Sequence, residues 1–155
     1  MSRAPFQVLV LPFTKQSDGL FSYAVLKRNS STGGYWQFVA GGGKPGEEPK
    51  DAARREAHEE IGSDPKSALI RLDALTMIPV VNIGGFEWGE DVLVIPEYCF
   101  GLELHSENIT LSHEHTDYRW LTYEEASDLV NWESNKTALW ELNHRLTHDL
   151  PLVRV

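Results

Sequence analysis

Residues 41–63 read Gly41-Gly-Gly-Lys44-Pro-Gly-Glu47-Glu-Pro49-Lys-Asp-Ala-Ala53-Arg-Arg55-Glu56-Ala57-His-Glu59-Glu60-Ile61-Gly62-Ser63, and this stretch decides the fold. It opens with a segment, 41–46, too glycine-rich for a regular element. Pro49 suits the first turn of a helix and Gly62 the left-handed position just past its end, so a helix is predicted over 49–61. Ala53, Ala57 and Ile61 recur every four residues and give that helix one narrow apolar stripe. Glu59 and Glu60 stand three and four places beyond Glu56, about one turn of ~5.4 Å along the axis. Three carboxylates on one side repel one another, which destabilises a bare helix by roughly a few tenths of a kcal/mol per pair. A divalent cation reverses that penalty, and hard oxygen ligands are what magnesium or manganese prefers. The glycines running into the helix N-terminus let backbone approach an anion closely, which makes Gly41 and Gly42 candidate substrate contacts. Arg55 is placed to pair with a neighbouring carboxylate and orient it. A solvated helix face would explain the glutamates, but not the glycine loop, Glu47 and the Arg-Glu pair at fixed spacing.

Outward from this stretch the chain alternates strand-like runs with polar turns. Phe6–Thr14 and Leu20–Arg28 read as a hairpin, and Trp36–Ala40 as a short strand before the glycines. Ile70–Val81 and Val92–Leu104 contain further strand-like runs around a loop at 82–91, and Tyr118–Leu121 reads as a last strand. Thr122-Tyr-Glu-Glu125 is a capping-box pattern opening a helix to about Val130. A terminal helix is expected from Ser134, its cap, to about His148. Strands first, a central helix and helices at the end suggest an α+β fold, an α/β/α sandwich with a mixed central sheet. With no repeat, linker or low-complexity tract, one domain over 1–155 is expected.

Composition narrows the function. The 155 residues carry 23 acidic and 14 basic side chains, a net charge of −9. A polyanion binder needs a dense basic stripe, and the densest basic pairs here are Lys27-Arg28 and Arg54-Arg55, so no nucleic-acid polymer is expected as a partner. An acidic protein handles phosphate through divalent cations, which favours a small metal–nucleotide complex. No run approaches the ~18–20 apolar residues of a membrane span, so no membrane association is expected. The segment ahead of Pro5 shows no secretory signal, and the lone Cys99 excludes an internal disulfide, so a cytoplasmic location is expected.

The quoted stretch resembles the Nudix box, G-x5-E-x7-R-E-U-x-E-E-x-G-U, where U is a bulky aliphatic residue. Gly41, Glu47, Arg55, Glu56, Glu59, Glu60 and Gly62 occupy all seven fixed positions, for which chance gives on the order of 10⁻⁶ over the chain. Two U positions hold the small Ala57 and Ser63, which departs from the pattern without touching a ligand position. The resemblance implies a Nudix fold, with the box as a loop–helix–loop beside a mixed sheet. It implies metal ligation by Glu56, Glu59 and Glu60 with Glu47 in support, and a Mg2+ cofactor for which Mn2+ substitutes. The implied reaction is water attack on one phosphorus of a diphosphate.

His113-Glu114-His115-Thr-Asp-Tyr-Arg-Trp120-Leu121, the segment Trp132-Glu-Ser134-Asn135-Lys136, and Trp36-Gln37 look like the Nudix subgroup containing bacterial dihydroneopterin-triphosphate and dATP pyrophosphohydrolases. That resemblance assigns Glu114 to the metal site. Lys27, Arg28 and Lys136 are candidate contacts for distal phosphates, and Trp36 and Trp88 for stacking a base or pterin. His113 and His115 lack a third nitrogen or sulfur ligand in sequence and are given a surface or hydrogen-bonding role. The expected partner is a small nucleotide or pterin triphosphate, and the protein a monomer or homodimer. Pro79, sixteen residues beyond Ser63, leaves an ADP-sugar or dinucleoside polyphosphate hydrolase as a second possibility. A non-catalytic nucleotide-sensing domain is a third, against which stand all four box glutamates.

Overall fold

The computed structural model describes residues 2–155; Met1, within the expected domain span, lies outside them. β1 (Gln7–Lys15) and β2 (Phe21–Arg28) form the first hairpin, followed by the short β3 (Trp36–Gln37) and β4 (Val39–Gly42). After α1 (Pro49–Ile61) come β5 (Leu69–Pro79), β6 (Val94–Glu103) and β7 (His115–Leu121), then α2 (Tyr123–Leu129), α3 (Glu133–Thr147) and β8 (Val153–Arg154). Strands run β3-β2-β1-β6-β5-β8 across the sheet, with β4 also on β1 and β7 also on β2. β1 and β6 are parallel and the other pairs antiparallel, so the sheet is mixed.

Alternation along the strands supplies two apolar faces. Val8, Val10, Phe100 and Leu102 face α1, whose Ala52, Ala53, Ala57 and Ile61 are buried against them. Leu9, Leu11, Phe13, Cys99 and Ile70 face the other way, onto Ala126, Val130, Ala138, Leu139 and Leu142 of the α2–α3 segment. The result is the α/β/α sandwich expected. Burial also pushes the Cys99 thiol pKa up, which keeps it protonated.

α1 spans the residues the sequence predicts, with Pro49 in its first turn and Gly62 at φ 70° closing it. Pro12 sits inside a central strand, where proline is rarely tolerated. It falls where β1 changes neighbour, after the last β4 pair (Val10 with Val39) and before the first β2 pair (Phe13 with Tyr23).

Four elements differ from the sequence reading, the first being β8, which follows the strand expected to be the last and pairs with β5 beyond any local signal. Gly41 and Gly42 belong to β4, paired with Val8 and Gln7, because the central strand supplies partners that glycine composition does not reveal. Trp132, not Ser134, is the cap residue of α3, and Ser134 lies in its first turn. β5 contains a bulge: between Arg71 and Leu75 it advances four residues while β6 advances two, from Phe100 to Tyr98. Glu141 of α3 accepts hydrogen bonds from the amides of Asp73 and Ala74 at 2.8 and 2.7 Å, and Arg145 pairs with both Asp73 and Glu141. The helix thereby satisfies backbone groups that the ladder leaves open.

At α2 the capping box is complete, with Thr122 accepting from the Glu125 amide and Glu125 accepting from the Thr122 amide. Thr122→Ala is expected to lower stability by about 1 kcal/mol in urea unfolding. An unchanged midpoint would mean that packing alone holds α2.

Candidate active site

The box forms a loop–helix–loop whose polar side gathers around Arg55. This guanidinium donates to both carboxylate oxygens of Glu47, at 3.0 and 2.9 Å, to Glu56 at 2.9 Å and to the Gly42 carbonyl at 2.9 Å. Its contact with Glu59 is longer, 3.4 Å, and Glu59 is half exposed. The Arg55 hydrogen bond holds the Glu47 carboxyl below the usual carboxylate range, against slight burial. Glu47 also accepts from the Lys44 amide at 2.9 Å, so it locks the glycine-rich loop to the helix.

Glu56 lies over β4. A Cβ on Gly41 would fall on its carboxyl group, which is the steric reason for glycine at this position. Burial pushes the Glu56 carboxyl up to about 7 despite Arg55, with the charges of Glu59 and Glu60 adding to the rise. Glu60, one turn on, is turned inward. Its Oε2 accepts from the Ser112 hydroxyl at 2.9 Å and stands 2.9 Å from His115 Nδ1. The His115 ring N–H is not aligned with that line, so the two groups approach closely without a well-formed hydrogen bond. Burial opposes ionisation of Glu60, but the His115 and Ser112 contacts outweigh it and hold its carboxyl low. Glu114, on the loop ahead of β7, is pushed the other way by burial and then by the nearby Glu60 charge.

The carboxylates therefore fall into two groups, Glu56 with Glu59 around Arg55 and Glu60 with Glu114. Among the described residues no three His, Cys, Asp or Glu side chains converge into a closed metal cage. The expectation that Glu56, Glu59 and Glu60 reach one shared ligand differs from this arrangement, because Ser112 and His115 draw Glu60 inward while Glu59 stays in solvent. The donor set still fits a hard divalent cation. It is all carboxylate oxygen, burial with added mutual repulsion raises the pKa values of Glu56 and Glu114, and magnesium takes one or two carboxylates plus substrate phosphates rather than an all-protein cage.

Beside this group opens a cavity of about 610 Å³, within the range of small-ligand sites. Gly41, Gly42, Glu56, Glu114 and Arg28 line it together with Tyr35, Gln37, Glu97, Trp132 and Asn135. Tyr35 and Trp132 meet edge to face at 5.2 Å, and the Trp132 indole donates to Gln37 at 3.1 Å. Lys27, Trp36 and Lys136, candidates by sequence, are not in the lining. Trp36 lies under the Arg119 guanidinium at 4.7 Å and packs against the core, and Lys136 donates to the Ser127 carbonyl. Trp88 donates to the Arg3 carbonyl at 2.7 Å and ties the 82–91 loop to the N-terminal segment. His113 is exposed, while His115 is buried against Glu60. Sequence reasoning missed Glu97, Tyr35 and Asn135. Glu97 alternates in phase with the core residue Cys99, and that inward-facing acid was the one available signal.

A sheet flanked by helices on both faces, a glycine-to-helix box bearing Arg and four glutamates, and an adjoining cavity define a phosphoanhydride hydrolase site. The NUDIX domain family matches residues 5–141, and the chain belongs to that family: it is a Nudix hydrolase. It is 25% identical over 135 residues to a dihydroneopterin triphosphate diphosphatase of Haemophilus influenzae, covering 85% of this chain and 83% of that one. It is 30% identical over 125 residues to the nucleoside triphosphatase NudI of Escherichia fergusonii, covering 77% and 83%. Among solved structures, a Nudix hydrolase of Listeria monocytogenes matches with a TM-score of 0.85 at 40% identity, over 98% of this chain and 100% of that one.

Proposed function

We propose that this Nudix hydrolase is a magnesium-dependent pyrophosphohydrolase of a nucleoside or pterin triphosphate, releasing pyrophosphate. The observation that carries this reading is the continuity of the cavity, which joins the carboxylates and Arg28 to an aromatic wall large enough for a base. The triphosphate-cleaving names of the two relatives support it. In their two groups, Glu56 with Glu59 and Glu60 with Glu114 would hold divalent cations whose shells the substrate phosphates complete, with Glu47 acting through Arg55. The cation supplies charge neutralisation at the phosphates and a more acidic water. The chain's own groups bind and orient: Gly41 leaves room for the Glu56 carboxyl over β4, and Arg28 would face the phosphates from β2.

EDTA is expected to stop pyrophosphate release from nucleoside or dihydroneopterin triphosphates, and Mg2+ or Mn2+ to restore it. If no such triphosphate is cleaved with Mg2+ present, the reading fails. Pro79 lines the same cavity, so ADP-ribose cleavage is the second reading. AMP and ribose phosphate as the faster-formed products would select it.

A further inference from the structure

Glu97 is a buried acid that the reaction chemistry does not use. It is 2% exposed and lines the cavity on the α3 side of the sheet, in register with Gln7 of β1 and Thr76 of β5. Gln7 Nε2 donates to its Oε2 at 3.0 Å. Its Oε1 is closed off from bulk water and has no hydrogen-bond partner. Buried polar atoms are almost always paired, and an orphan on a side chain of the cavity wall marks where a ligand atom completes the set. Burial raises the cost of ionising Glu97, which the Gln7 hydrogen bond partly offsets.

We propose that Glu97 reads the edge of the substrate's base and selects a ring N–H flanked by an amino group, the edge shared by guanine and pterins. This rests on the reading of the cavity as the base site of a triphosphate pyrophosphohydrolase. A carboxylate accepts and does not donate, and the Gln7 amide donating to Oε2 holds it in that role. Guanine and pterins set a ring N–H and an amino group side by side, two donors with no acceptor between them. Adenine and cytosine place their amino group beside a bare ring nitrogen, whose lone pair would face the carboxylate. Uracil and thymine flank their N–H with carbonyls. Of these edges, only the first meets an acceptor with donors alone. Trp132 and Tyr35 supply the aromatic surface for the ring itself.

The test is binding, measured by calorimetry on the full chain with guanosine, inosine and adenosine monophosphates, and with neopterin. Wild type is expected to bind the guanosine form at least about tenfold more tightly than the adenosine form, with inosine, which lacks the amino group, between them. Glu97→Gln, isosteric and still able to accept from Gln7, is expected to bring that ratio to within about threefold through loss of guanosine affinity. Equal binding of all three by wild type, or adenosine preference, overturns the proposal. So does an unchanged ratio in Glu97→Gln, or no binding of guanosine monophosphate or neopterin. Because these ligands are not cleaved, the result is separable from the function above. Selective binding without triphosphate turnover would sink the pyrophosphohydrolase reading alone, and turnover blind to the base would sink this one alone.

Discussion

Glu56→Gln is expected to abolish turnover, by about 10³-fold or more in kcat, while the fold survives at equal or higher stability. Glu56 is the box glutamate that both lines the cavity and lies against β4. Its replacement keeps shape and removes charge. The sign of the stability change follows from its pKa, which is raised on folding to about 7. The folded protein then holds a proton that the unfolded chain releases, so stability is fullest below the ordinary carboxylate range. It is lost as pH rises through about 7. For a side chain this buried the loss is on the order of 3 kcal/mol at most. Melting curves of the metal-free protein at pH 5 and pH 8 check it: Glu56→Gln should gain on wild type as pH rises. Magnesium should raise the melting temperature of wild type at pH 8 more than that of the variant. A variant that unfolds, or one that retains its turnover, would remove Glu56 from the proposed site.

Arg55→Ala should cost both activity and stability. One guanidinium satisfies Glu47, Glu56 and the Gly42 carbonyl at once, and its own proton is held more firmly as a result. Removing it leaves two carboxylates, each under one-fifth exposed, without their counter-charge. Breaking a mostly buried pair in this way costs about 3 kcal/mol, and the glycine loop loses its tie to the helix. A fall in kcat of about 100-fold is expected from the misplaced Glu56. Arg55→Lys should recover little, because an ammonium cannot fork to Glu47 and also reach Gly42. Near-wild-type kcat in Arg55→Lys would mean that only the charge matters.

The legible parts of this protein carry their own local signals. α1 could be placed from Pro49, the alanine stripe and Gly62, because each of those residues acts on backbone within a turn or two. The capping box at Thr122 is equally local. What escaped reading depends on partners distant in sequence. Gly41 and Gly42 join the sheet only because β1 lies beside them, and Trp36 is covered by Arg119, 83 residues on. Ser112 and His115 redirect Glu60 from a third of the chain away. The site followed the same division: spacing along one helix showed which acids share a turn, and not which way each faces. Glu97 stands alone in a strand-like run with no motif around it, so only the assembled cavity gives it a meaning.

The bulge in β5 carries a consequence for how this family member could change its diet. Its surplus is two residues, an even number, so inside and outside positions keep their phase while Thr76 rather than Ala74 comes to stand across from Glu97. Losing or gaining a single residue there would turn the strand inside out. Losing both would swap the cavity's floor tile and leave the wall standing, so evolution could edit this pocket in steps of two.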